Sequence, residues 1–152
     1  MRNAIKMLGL VSAVALSACG GDKGDDLGRF VGTWQPTSGT LTEICQGYTY
    51  TDTVTSGVTW QTGLSSDLVS TDAFAGCALN ADVSGSTAIG EPGKTCNPDG
   101  TEMITIGSYT FVASPDGHTA TENASGNIVY LDSGAATSCT FNETAAYQKI
   151  GK

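Results

Sequence analysis

The chain has 152 residues, 39% of them hydrophobic and 14% charged, with a formal net charge of −8. That is one domain's worth of chain, with a single modest core. An acidic surface of this kind opposes binding to nucleic acid or anionic lipid headgroups and favours solubility.

Met1 to Lys6 is short and carries Arg2 and Lys6, and an apolar run follows from Met7 to Leu16. A permanent span needs ~20 apolar residues, so this run is too short to be one. A charged start, a short apolar centre and then small residues describe a removable export signal over residues 1–18. The residues Leu16-Ser17-Ala18-Cys19, followed by Gly20-Gly21-Asp22, resemble the lipobox of bacterial type II signal peptides. The resemblance implies cleavage before Cys19, lipidation of its thiol and acylation of the freed amine. Each buried methylene contributes ~0.8 kcal/mol, so two or three acyl chains anchor the protein durably at the membrane. Gly20 in place of aspartate leans towards the outer membrane, on the periplasmic face or at the cell surface. Losing residues 1–18 takes Lys and Arg from 7 to 5 against 15 Asp and Glu, a net charge of −10.

Gly20 to Gly28 is rich in Gly and Asp, with Leu27 its one apolar residue. It reads as a flexible tether (residues 19–28 with the lipidated cysteine) with a reach of ~15–18 Å. A single folded domain is expected over 29–152. Its 21 threonines favour strands through β-branching. Alternation recurs at Tyr48 and Tyr50, Val58-Trp60-Thr62, Cys77-Leu79-Ala81-Val83, Tyr109-Phe111-Ala113, Ile128-Tyr130 and Cys139-Phe141. Turn chemistry separates these runs at Ser56-Gly57, Ser84-Gly85, Asn97–Gly100, Ser114–Gly117, Ser125-Gly126-Asn127 and Asp132-Ser133-Gly134. The expectation is an all-β fold of about eight short antiparallel strands, closed as an up-and-down barrel or a two-layer sandwich. Phe30 or Val31, Trp34, Trp60, Leu79, Phe111, Tyr130 and Phe141 are its expected core.

Setting Cys19 aside leaves Cys45, Cys77, Cys96 and Cys139, an even number in an oxidising compartment, hence two disulfides. Four cysteines allow three pairings. The preferred one is Cys77–Cys96, flanking a hairpin near Ser84-Gly85-Ser86, with Cys45–Cys139 joining first and last strands if the sheet closes.

Gly32-Thr33-Trp34 resembles the Gly-x-Trp signature at the start of lipocalins and related calycin barrels. The resemblance implies a tryptophan plugging one end of a barrel that holds a small apolar ligand. It also implies a basic last-strand residue over that tryptophan: Lys149 here, where the family usually has arginine. From the residues alone, Trp34 and Trp60 are core side chains.

Catalytic and metal signals are sparse. No G-x-S-x-G places a serine at a nucleophile elbow, and His118, the one histidine, follows a Pro-Asp-Gly turn. No CxxC pair, calcium loop or phosphate-cradling glycine motif occurs, so no catalytic residue, cofactor or metal is expected. The reading is a non-catalytic, lipid-anchored envelope lipoprotein that binds a protein or a small apolar ligand. A structural or surface-coat lipoprotein without a discrete ligand is the alternative.

Overall fold

A computed structural model describes residues 23–132 and 135–152. The expected signal, Cys19, and Ser133-Gly134 of an expected turn lie outside the described residues. One helix, α1 (Lys23–Phe30), precedes ten strands: β1 (Gly32–Cys45), β2 (Tyr48–Thr53), β3 (Val58–Thr62), β4 (Leu68–Phe74), β5 (Cys77–Ser84), β6 (Thr87–Gly90), β7 (Lys94–Cys96), β8 (Glu102–Ala113), β9 (Thr119–Asp132) and β10 (Ala135–Gly151).

The strands pair antiparallel in the order β1-β3-β4-β5-β6-β8-β9-β10, and β10 returns to β1, so the sheet closes as an eight-stranded barrel. Of the two closures open to the sequence, the barrel is the one formed. β2 and β7 are additional. β2 pairs with Thr40–Cys45 of β1 while β3 pairs with Gly32–Trp34, so β2 and β3 are two halves of one interrupted strand. β6 and β7 divide the length of β8 in the same way, broken at Glu91-Pro92-Gly93. Proline cannot donate to a ladder and glycine relaxes the backbone, so the chain leaves the sheet there.

Cys45 pairs with Cys139 and Cys77 with Cys96, the preferred connectivity. Cys45 and Cys139 are direct partners in the β1–β10 ladder, so the first bridge fastens the seam that closes the barrel. The second ties the start of β5 to β7, across the gap left where β6 ends.

Two expectations are corrected. Residues 23–28 were expected in a flexible tether, but they form α1, and Leu27 packs against the core. The cause is tertiary: Trp34 Nε1 donates to the Phe30 carbonyl at 2.8 Å, and Lys149 Nζ donates to the carbonyls of Gly28, Arg29 and Val31. A cation thus satisfies the carbonyls that a helix C-terminus leaves open. Ser125-Gly126-Asn127, expected as a turn, lies inside β9. A Cβ on Gly126 would sit 2.0 Å from the Thr105 carbonyl oxygen and 2.8 Å from the Phe141 ring, so this glycine allows close packing and does not reverse the chain.

Gly126 faces a register shift between Ile106 and Ser108 of β8. The extra residue switches the inward row of β8 from Ile104 and Ile106 to Tyr109, Phe111 and Ala113, all buried. Phe111 is central to the lower core: its ring meets Phe30, Trp34, Trp60 and Tyr147 at centroid distances of 6.5, 5.2, 6.1 and 5.6 Å. Trp34, Trp60, Leu79, Phe30 and Phe141 are buried as expected, while Val31 and Tyr130 pack against this core only in part.

Candidate functional site

The two ends of the barrel differ in kind. The end carrying α1 is sealed. Gly32 has φ +136°, and a Cβ there would meet the Gly151 carbonyl oxygen at 2.3 Å, so the first residue of the Gly-x-Trp signature must be glycine. It brings β1 against the end of β10, and Lys149 Nζ lies 4.8 Å from the centre of the Trp34 ring. This is the contact that the lipocalin-like signature implies, made with lysine. Burial pushes the Lys149 amine below its ordinary pKa, yet three carbonyls and an aromatic face surround it.

Away from α1 the wall is split. β2 rises with β1 beyond the short β3–β4 pairing, and the β4–β5 turn stands across from it. Between them lies a cleft of about 290 Å³, bordered by residues 53–57 on one side and 72–75 on the other. It lies at the small end of the usual range of ligand cavities. Leu41, Val54, Phe74, Ile104 and Ile128 supply apolar walls, and the Phe74 ring stacks on Phe141 at 4.5 Å. Glu43, Asp72, Glu102 and Glu143 also line it, with no lysine, arginine or histidine among the lining residues.

Each carboxylate has an identifiable setting. Glu43 Oε2 accepts from the Tyr130 hydroxyl at 2.7 Å. Asp72 Oδ1 accepts from the Thr59 N–H at 2.9 Å and the Ser70 hydroxyl at 2.7 Å, which fixes it. Burial, then the nearby charges of Asp99 and Glu43, pushes Glu102 upward. Burial likewise raises Glu143, which also interacts with Glu122.

Glu122 is the most unusual residue of the fold, at 1% exposure on the inward row of β9. Its Oε2 accepts from the Tyr109 hydroxyl at 2.9 Å, while Oε1 is buried without a hydrogen-bond partner. Desolvation, reinforced by the charge of Glu143, raises its pKa to about 8. Glu122 therefore holds a proton at neutral pH, within a pair with Glu143 and beside Tyr147, two residues that line the cleft. The same surroundings push the Tyr109 and Tyr147 hydroxyls above their ordinary range, first by burial.

The residues singled out from sequence fall elsewhere. His118 is exposed on the β8–β9 turn at the sealed end, where its carbonyl accepts from the Lys149 N–H. Cys19 lies outside the described residues. Among the described residues, the group with metal-ligand proximity is Glu43 with Cys45 and Cys139, whose sulfurs are bonded to each other. Sequence reasoning missed Glu122, Glu143 and Glu43. The available signal was phase: Glu122 alternates with Ala120 and Ala124, and Glu143 with Phe141 and Ala145, all buried.

No protein-family model, curated protein sequence or solved structure matches the chain.

Proposed function

We propose that this chain is a non-catalytic lipoprotein of the bacterial cell envelope, anchored through an acylated Cys19, whose barrel is a binding module for a small ligand. The cleft carries this reading: one end of the barrel is sealed by α1, Trp34 and Lys149, and the other offers a half-open cleft lined by apolar side chains and carboxylates. The lipobox-like Leu16-Ser17-Ala18-Cys19 supports the anchor. Lys23, where α1 starts, is only four positions on from Cys19, at most ~14 Å of extended chain. The anchor therefore holds the sealed end towards the membrane and leaves the cleft facing away from it. His118, the one histidine, stands on the sealed end and contributes nothing to the cleft.

Two measurements on protein released gently from bacterial membranes test the proposal. Mass spectrometry of the N-terminal peptide should find an acylated Cys19, and Cys19→Ser should leave the membrane fraction. An unacylated terminus upstream of residue 19 would refute the anchor. Native mass spectrometry should find small-molecule binding that saturates at one site. A chain that takes up no ligand of any charge, in cells or from a panel, refutes the binding reading.

A further inference from the structure

We propose that β2 is a docking edge for an extended, lysine- or arginine-bearing segment of another protein, which adds to it as a further strand. Among the described residues β2 pairs only with β1, and all six of its residues are exposed. β4, the strand that would continue the wall beyond it, meets β3 only at Leu68 and Val69 and otherwise pairs with β5. The far edge of β2 therefore carries unpaired backbone groups, and the hairpin identifies them. Cys45 and Tyr48 face each other across the two-residue turn Gln46-Gly47, so they exchange the closing hydrogen bonds. Alternation then turns the backbone groups of Tyr48, Tyr50 and Asp52 to β1, and those of Thr49, Thr51 and Thr53 outwards. The Val54 N–H, in the first phase, donates to the Gly39 carbonyl of β1 at 3.2 Å.

Exposed strand edges are ordinarily blunted by lysine, proline, a bulge, extreme shortness or a cover. The other strand outside the eight-stranded circuit, β7, shows this. It is three residues long, begins at Lys94 just after Pro92-Gly93, and is tied to β5 by Cys77–Cys96. β2 has none of these devices. Its sequence Tyr-Thr-Tyr-Thr-Asp-Thr is of the aromatic and β-branched kind that best fits a sheet, and its ladder with β1 runs without a shift of register. Tyr48 and Tyr50, on the face shared with Cys45 and Glu43, are 70% and 54% exposed, so rings that a neighbouring strand would cover stand in water. Charge chooses the occupant. Asp52 shares that face, its charge acts with those of Glu43 and Glu102 on Tyr130, and the whole chain carries −8. A second copy would bring the same aspartate and the same net charge to the edge, and an acidic segment is repelled likewise. A basic segment meets opposite charge, which steers its approach and fixes its register.

The test is amide hydrogen exchange, read by NMR on the oxidised protein, during titration with a capped peptide of alternating lysine and valine. Two control peptides accompany it: one with glutamate in place of lysine, and the lysine peptide N-methylated throughout, which cannot pair as a strand. The lysine peptide should slow exchange at the Thr49, Thr51 and Thr53 amides at least about tenfold, and at Tyr50 and Asp52, already bonded to β1, by a smaller factor. Thr51→Pro removes an edge donor without touching the β1 ladder and should weaken the peptide about tenfold. Asp52→Lys should cut the preference for lysine over glutamate by about threefold or more, even if the proline variant fails to fold. Equal binding of the lysine and glutamate peptides, or of the N-methylated one, would overturn the proposal. So would protection of the same amides in the free protein that grows with its concentration, since a second copy would then hold the edge. Failure of the lysine peptide to slow these amides would overturn it too, and would leave the small-ligand reading of the cleft intact.

Discussion

Replacing Glu122 with glutamine should reverse its effect on stability between pH 5 and pH 9. A carboxyl raised from 4.5 to about 8 binds its proton more tightly in the folded chain than in the unfolded one. Its contribution is therefore complete below pH 4.5 and is lost as pH rises towards 8. The gap corresponds to roughly 4–5 kcal/mol over the full window, of which about 3 kcal/mol is lost by pH 7. The proton is held within a pair with Glu143, so these values are upper limits for Glu122 alone. The other groups facing Glu122 are Tyr109 and Tyr147, both raised above 10, and they do not titrate in this range.

Glutamine keeps the shape and an acceptor for the Tyr109 hydroxyl but carries no proton to lose. Below pH 5 the variant should match the wild type or fall short by about 1 kcal/mol, the typical worth of one hydrogen bond. Near pH 8–9 it should be the more stable protein by on the order of 2–3 kcal/mol, half or more of the upper limit above. Urea denaturation followed by tryptophan fluorescence at half-unit pH steps reads both curves. A His118→Gln background takes the one histidine out of the comparison. Parallel curves for the parent and its Glu122→Gln variant across pH 6–8 would refute the reasoning, because the buried carboxyl would then not be linked to folding.

Lys149→Met should keep the packing over Trp34 but lose the donor to three carbonyls, costing about 1–3 kcal/mol and speeding hydrogen exchange in α1. Gly32→Ala should cost about 2–4 kcal/mol in urea denaturation, from strain at φ +136° and the clash with Gly151. Opening the Cys45–Cys139 bridge with paired serines should cost about 4–5 kcal/mol, against about 3 for Cys77–Cys96, since the sequence separations are 94 and 19. Thermal melts of the two double variants, under the same buffer, check that ranking. Phe74→Ala should cost about 3–5 kcal/mol in the same denaturation experiment, because it removes a buried ring stacked on Phe141.

The barrel was legible in the sequence where residue type and position agree. Val58 with Trp60, Cys77 with Leu79 and Ala81, and Tyr109 with Phe111 are apolar at every second position and buried in the fold. Cysteine placement, read as first strand to last, anticipated closure of the sheet and therefore the Cys45–Cys139 ladder pair. Legibility failed where a residue's meaning depends on a partner distant in sequence. Gly126 looks like a turn residue until β8 bulges against it and the Phe141 ring fills the missing Cβ. Residues 23–28 look like a tether until Lys149, more than a hundred positions away, caps the helix they form. The two-residue turns at Gln46-Gly47 and Ala75-Gly76 were missed although positive φ at both positions of each fits a tight hairpin.

The carboxylates of the cleft are the sharpest case. Composition assigns glutamate to the surface, while period two assigns Glu122 and Glu143 to the row shared with Ala124, Phe141, Ala145 and Tyr147. The two rules conflict at these positions, and the structure follows the period, leaving the carboxyls inside with raised pKa values. A strand that keeps its alternation through a charged residue carries desolvation that packing alone does not offset. The compensation comes from a held proton and from hydrogen bonds inside the barrel. In this barrel the proton shared by Glu122 and Glu143, with the Tyr109 hydroxyl beside it, supplies it at neutral pH.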